Sequence, residues 1–290
     1  METHPPQARR AKKLLLVAVA ALWALPSQAS GDINGFLREK RHGDVAFSFS
    51  DESFDRFWLG STKVDVPNGG DFKTRSLSLW VAYGITDNLT VTADLPYVDA
   101  ESNKTFDPNK DLENEHLQDL TILGKYRFAS IGSTGGAKHE FLGGFGIRTI
   151  ASNYDVPGPV DIGDGTADWL FRFVYQLTYK RFYFSQQAGF DLRSGAAPNG
   201  FPFYTEAGWT QGPATYSALY SRLDARGGTD IGAPNFLTFP GNKKEYQRLG
   251  GKAFVRLTDV IGVSGMAYTT LTGRNVGDSS GFSVGIDFRY

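Results

Sequence analysis

Asp168-Trp-Leu-Phe-Arg-Phe-Val-Tyr-Gln-Leu-Thr-Tyr179 is the stretch on which the fold turns. Trp169, Phe171, Phe173, Tyr175, Leu177 and Tyr179 fall on one side of an extended chain, and Leu170, Arg172, Val174, Gln176 and Thr178 on the other. Alternation with period two predicts a strand with two unlike faces. Large aromatics crowd one of those faces near the strand ends, where a bilayer interface favours them and a soluble sandwich rarely puts them. The closing segment repeats the arrangement, with Phe282, Val284, Ile286, Phe288 and Tyr290 set against Ser283, Gly285, Asp287 and Arg289.

Outward from these two stretches the same pattern recurs. It predicts strands at 43–52, 74–84, 88–98, 117–128, 139–150, 168–179, 182–193, 202–211, 214–223, 247–257, 260–271 and 280–290, twelve in all. Connections of a few residues at Ile85-Thr86-Asp87, Lys180-Arg181, Gly212-Pro213 and Thr258-Asp259, with a longer one at Ala129 to Lys138, alternate with polar stretches such as Asp99 to His116, Ala151 to Ala167 and Asp224 to Tyr246. Short turns on one side, long loops on the other and an even strand count describe an all-β, antiparallel, up-and-down transmembrane barrel of about twelve strands over residues 43–290. Closure leaves no unpaired backbone edge in lipid.

Composition agrees. The chain has 290 residues, 41% of them hydrophobic, with 30 Lys and Arg against 31 Asp and Glu and no Cys. A formal charge of -1 offers no basic excess for nucleic acid. Without cysteine there are no disulfides, thiolate nucleophiles or Cys-ligated metals. A mean hydropathy of -0.29 excludes a polytopic helical membrane protein but not a barrel, whose two faces cancel.

The first residues read as an address. Arg9, Arg10, Lys12 and Lys13 precede an apolar run of 12 from Leu14 to Leu25, and Pro26-Ser-Gln-Ala29 supplies small residues for cleavage. Residues 1–29 are therefore expected to be a cleaved secretory signal, the run being too short to span a bilayer, and 30–42 a short periplasmic lead or plug.

If the aromatic stripes face lipid, the opposite register puts Lys125, Arg127, Arg148, Arg172, Arg193, Arg248, Lys252, Arg256 and Arg289 in the lumen, together with Asp94, Asp119, Asp191, Glu206 and Asp287. That set is net basic. It would either form a constriction that favours anions or orients a polar solute, or pair across a narrow lumen and fill it. The loops are acidic: Asp99, Glu101, Asp107, Asp111, Glu113 and Glu115 face only Lys104 and Lys110 in theirs, and Asp155, Asp161 and Asp164 have no basic neighbour. Asp161-Ile-Gly-Asp-Gly165 lacks a full calcium-ligand spacing and reads as a solvated loop, so no metal site is expected. Of four His residues only His116, beside Glu115 and Asp119, is placed to serve a lipid hydrolase, and no Gly-x-Ser-x-Gly accompanies it. No catalytic residue and no cofactor are expected.

Ser76-Leu-Ser-Leu-Trp-Val-Ala-Tyr-Gly-Ile-Thr-Asp-Asn-Leu-Thr-Val-Thr-Ala-Asp-Leu-Pro-Tyr-Val98 resembles a hairpin of outer-membrane proteins grouped as the MetA-pathway phenol-degradation family, in which a Gly-Leu-Thr-Asp-type turn precedes a strand ending in Leu-Pro-Tyr. Asp119-Leu-Thr-Ile-Leu-Gly-Lys-Tyr-Arg-Phe128 is similar to the next strand of that family, although His116-Leu-Gln-Asp119 stands where a Gly-x-Gly-Asp lead would be expected. The resemblance implies an outer-membrane barrel passing small, often aromatic or apolar, compounds. Phe282, Val284, Ile286, Phe288 and Tyr290 resemble the C-terminal signal read by the barrel assembly machinery. The leading expectation is a passive channel or transporter for small solutes in the bacterial outer membrane. Its partners would be lipid, lipopolysaccharide and the assembly machinery, with no nucleic acid. The alternatives are a structural, adhesive or export-accessory barrel acting through its acidic loops and, behind it, a membrane-embedded lipid hydrolase.

Overall fold

A computed structural model describes residues 32–107, 110–154, 156, 160, 162–237 and 239–290. Residues 1–29, expected to be a signal, and the acids Asp155 and Asp161 lie outside the described residues, as do the side chains of Lys104, Asp107, Lys110 and Asp111. The strands are β1 (Gly43–Phe54), β2 (Arg56–Leu59), β3 (Thr62–Asp65), β4 (Asp71–Thr86), β5 (Leu89–Asp107), β6 (Lys110–Leu117), β7 (Asp119–Gly132), β8 (Ala137–Ile150), β9 (Asp168–Tyr179), β10 (Phe182–Arg193), β11 (Asn199–Gln211), β12 (Ala214–Arg226), β13 (Glu245–Arg256), β14 (Ile261–Arg274) and β15 (Ser280–Arg289).

Twelve of these close into an antiparallel barrel. Neighbours in sequence pair around the sheet, β1 pairs with both β4 and β15, and the β4–β5 pairing completes the circle. Closure is tied off at the short-turn end, where Gly43 and Tyr290 exchange backbone hydrogen bonds of 3.0 Å each. Glycine is required at Gly43, where an added Cβ would meet Ala82 O and the Tyr290 ring at 2.6 Å.

The register fixes an inside-out distribution of polarity. On β9, Trp169, Phe171 and Phe173 point outward with 50%, 43% and 49% of their surface exposed, while Gln176 on the inner face is wholly buried. Outside, the rings form a continuous belt: Phe145 meets Trp169 at 5.6 Å and Phe171 at 5.3 Å, and Phe190 meets Phe201 at 5.0 Å. A water-soluble protein of this size would bury those rings; a barrel in lipid exposes them. Phe282, Val284, Ile286 and Phe288 belong to the same outward register of β15, and the Tyr290 ring stacks on Tyr83 at 6.5 Å.

Beyond the wall the outer loops carry structure that the alternation did not announce. Asp99 to His116, read as a loop, is a hairpin: β5 runs on past the wall and turns back as β6, while only Leu89–Asp94 pair with β7. Residues 55–70 contain the β2–β3 hairpin, which lies across the outer mouth through Trp58 N to Val276 O at 2.8 Å and Gly60 N to Asn275 Oδ1 at 2.9 Å. Asp230 joins the same cluster, accepting from Arg274 Nη2 at 2.6 Å and Asn275 Nδ2 at 2.9 Å.

Candidate functional site: a lumen shared with the N-terminal segment

Residues 32–42 do not hang below the barrel but run inside it. Their backbone polar groups are met by inward side chains of the wall, as a buried chain without sheet partners requires. Ile33 N donates to Gln187 Oε1 at 2.7 Å, and Gly35 N to Gln176 Oε1 at 3.0 Å and Ser185 Oγ at 3.2 Å. Arg38 N donates to Thr90 Oγ1 at 2.8 Å, and Asn34 O accepts from Lys125 Nζ at 3.0 Å. The Asp32 carboxylate accepts from Gln187 Nε2 at 3.2 Å and Ser221 Oγ at 3.5 Å, and Asn34 Nδ2 donates to Glu206 Oε2 at 3.2 Å. Near the short-turn end Arg38 pairs with Asp44, and Arg41 N donates to Gly84 O at 2.8 Å.

Apolar packing fixes the same segment. Ile33 is buried with Leu123, Leu142, Leu170 and Val174, and Leu37 packs against that cluster. Phe36 meets Tyr183 edge-on at 4.9 Å. Four apolar side chains thus occupy the inner register of the adjacent strands β7, β8 and β9, where the sequence pattern led us to expect a partly polar face. They form the dock. Close contact also requires Gly35, because a Cβ there would stand 2.4 Å from Gln176 Cβ.

Two cavities lie in the remaining lumen among the described residues. The inner one, of about 450 Å³, touches Lys125, Glu206, Lys252, Arg256, Asp287 and Arg289. The outer one, of about 880 Å³, touches Asp119, Arg148, Arg172, Asp191, Arg193 and Arg248. Both include Asp32, Ser78 and Asp94 in their linings, so they meet at that level. Of the fourteen lumen candidates only Arg127 lines neither cavity; it sits at the short-turn end, donating to Glu140 Oε1 at 2.5 Å and Asn88 Oδ1 at 2.6 Å. Opposite in character to the dock, β15, β1 and β4 offer the cavities a run of small side chains, Ser283, Ala46, Ser48, Ser50, Ser76 and Ser78, alongside Trp80 and the charged Asp44, Glu52 and Asp287.

The expected net basic lumen is not what folds. The inner cavity is lined by five acidic and five basic side chains, and the outer by eight and six. The acids that restore the balance come from places the candidate set omitted: Asp32 of the N-terminal segment, Asp44, Asp51 and Glu52 of β1, Glu101 of β5 and Asp164 of the loop before β9. Physically this follows from the cost of burying charge, which Arg148, Arg172, Arg193 and Arg248 each meet with a carboxylate. Arg172 Nη1 reaches Asp191 Oδ1 at 2.6 Å, Arg148 Nη1 reaches Asp168 Oδ2 at 3.1 Å, and Arg193 Nη1 reaches Asp164 Oδ2 at 2.8 Å. Arg248 lies over Tyr246 and Tyr268, 4.7 and 4.9 Å from the ring centroids, and donates to Glu52 Oε1 at 3.0 Å.

The outer cavity is roofed by loops held through the same chemistry. Tyr154 and Ile162 of the 151–167 loop pack with Val98 and Ala100, and Tyr154 donates to Asp119 Oδ1 at 2.5 Å. Burial and that acceptor push the Tyr154 hydroxyl well above the usual phenol range. Burial alone would raise Asp164 as well, but Lys244, Arg193 and Arg148 outweigh it and hold the carboxyl at about 2. His116, on β6 outside the wall, is exposed.

The same architecture is found in solved structures. An outer membrane channel from Pseudomonas putida F1 superposes with a TM-score of 0.70 at 10% identity, covering 91% of this chain and 100% of that one. The transport unit of the autotransporter AIDA-I from Escherichia coli superposes with a TM-score of 0.51 at 10% identity, covering 99% of each chain. The chain has the fold of these outer-membrane β-barrels. At such identity the likeness concerns the fold. No family model matches the sequence, and no curated relative does.

Functional residues that the sequence reading missed are those of the dock and its guest. Leu123, Leu142, Leu170 and Val174 carried a signal, being apolar in the register assigned to the lumen. Gln176, Gln187 and Ser185, all fully buried, carried none beyond polarity. Their role depends on a segment distant in sequence.

Proposed function

We propose that the chain is a passive channel of the bacterial outer membrane, reached after removal of an N-terminal signal and insertion through the terminal motif ending at Tyr290. Small solutes cross through the space left between the docked N-terminal segment and the wall of β13, β14, β15, β1 and β4. The observation that carries this reading is the pair of cavities, about 880 and 450 Å³, whose linings meet at Asp32, Ser78 and Asp94 inside a closed barrel. Phe54, Phe72, Tyr246 and Tyr268 line the outer cavity beside Arg248, which suits small amphipathic solutes bearing a ring and a charged group. That class is in keeping with the resemblance to the phenol-degradation family. The balanced lining gives no reason to prefer anions throughout.

Liposome swelling with the refolded barrel tests this. Sugars, amino acids, dicarboxylates and aromatic acids are compared, and folding is verified by a heat-dependent shift in gel mobility. Uptake of small solutes, falling as Ser48 or Ser283 is enlarged to Trp, is the expected result. A folded barrel that passes none of them refutes the channel and favours the accessory reading, to which the buried ion pairs and docked segment lend some support.

A further inference from the structure

Whether residues 32–42 obstruct the conduit until displaced, or form part of its wall, has opposite consequences for what a solute meets. Three observations bear on it. The segment is anchored along its length by Gln176, Gln187, Ser185, Thr90 and Lys125, rather than at one hinge. Ile33 is buried in an apolar cluster with Leu123, Leu142, Leu170 and Val174, so leaving the dock would expose that cluster to the lumen. Both cavities persist with the segment docked, lie against it, and count Asp32 among their lining residues.

We infer that the N-terminal segment is a permanent wall of the open conduit, and that Asp32 acts with Asp94 as a charge-selecting residue at its waist. This rests on the channel reading and goes beyond it by assigning selectivity to a residue outside the barrel strands. A displaced plug would take Asp32 away from the path; a docked one keeps its carboxylate beside every ion that passes. Arg172 and Arg148, the cations nearest these carboxylates, are already paired with Asp191 and Asp168, so the excess charge at the step where the cavities meet is negative and favours cations over anions, although the lining as a whole is balanced.

The test is reversal potential in planar bilayers under a salt gradient, with full-length barrel extracted from outer membranes. Asp94→Asn and Asp32→Asn are compared with the parent; asparagine still accepts the Gln187 hydrogen bond, so docking is retained. Each variant should lower the cation-to-anion permeability ratio, by about threefold for the loss of one unit charge within a few ångströms of the path. A shift with Asp94→Asn and none with Asp32→Asn overturns the inference, because the segment would then be absent from the open conduit. Deletion of 32–37 gives an independent reading. The inference expects open-state conductance and selectivity both to change, whereas a displaceable plug would change only the fraction of time open. If parent, point variants and deletion all fail to conduct while showing the heat-dependent gel shift, the channel reading itself falls, and the two failures are told apart.

Discussion

The buried pair Arg172–Asp191 allows the lumen to be tested as a folded core. Arg172 Nη1 donates to Asp191 Oδ1 at 2.6 Å and to Phe171 O at 2.9 Å, and the two side chains are 1% and 4% exposed. Space for the guanidinium stem is made by Gly189 and Gly144, where an added Cβ would stand 2.9 Å from Arg172 Cδ and Cβ respectively. Arg172→Met keeps a stem of comparable length but leaves the Asp191 carboxylate buried beside a thioether. Removing one partner of a buried pair costs about 3–5 kcal/mol, whereas replacing both by apolar groups is often neutral. The single variants Arg172→Met and Asp191→Leu should therefore each lose most of that amount, and the double variant should recover all but about 1–2 kcal/mol of it. Equilibrium urea unfolding in detergent micelles, followed by tryptophan fluorescence and by heat-dependent gel mobility, measures the cycle. A double variant whose loss equals the sum of the singles would refute the argument, since it would mean that the two charges do not depend on each other.

Three further outcomes follow from particular contacts. Gly84→Ala would drive a Cβ to within 2.0 Å of Glu39 O, so the segment should loosen where it leaves the barrel; faster trypsin cleavage after Arg38, Lys40 or Arg41 with an unchanged barrel band is the expected readout. Phe171→Arg puts a cation on the lipid face at a position 43% exposed, and folding into vesicles should weaken by about 2–4 kcal/mol if that site lies near the midplane. Asp230, held at about 2 against an ordinary 3.8 by hydrogen bonds from Arg274 and Asn275, should keep the outer loops clamped as the pH falls. A carboxyl with a depressed folded value contributes stability above 3.8 and loses it only toward 2, so protease resistance of the loops should survive at pH 4 and fail near pH 2.

What could be read from the sequence follows the lipid. Predicted strands 168–179 and 182–193 coincide with β9 and β10, because a membrane-spanning strand has one face in hydrocarbon and one in a polar lumen, and the contrast writes itself at every second residue. Above the membrane that contrast vanishes. The β5 extension buries Val98 and Ala100 against Tyr154 and Ile162 of a distant loop, a contact that no local pattern announces, and Lys110–Leu117 shows charge where a periodic signal would be needed. The lumen was legible by register, as the inner positions of Lys125, Arg172, Glu206 and Lys252 attest, but its charge balance was not. Asp44 and Glu52 share the inward register of Ser48 and could have been counted from it. Asp32 and Asp164 stand in segments without any period, so nothing local shows that they enter the barrel.

The N-terminal segment makes sense of a division in the barrel that alternation alone leaves unexplained. Strands β7, β8 and β9 place Leu123, Leu142, Leu170 and Val174 inward, whereas β15, β1 and β4 place Ser283, Ala46, Ser48, Ser50, Ser76 and Ser78 there. Twelve strands enclose more room than short side chains can fill, and leucines facing an empty lumen would carry the cost of exposed apolar surface with no return. With Ile33 and Leu37 seated on them, those leucines become an ordinary core, and the glutamines beside them satisfy a backbone that has no strand partner. Along the serines the two cavities remain. Sequence thereby allots one half of the inner surface to holding residues 32–42 and leaves the other half lining the cavities. A single Gly35→Ala substitution, with its Cβ 2.4 Å from Gln176 Cβ, strikes the dock itself.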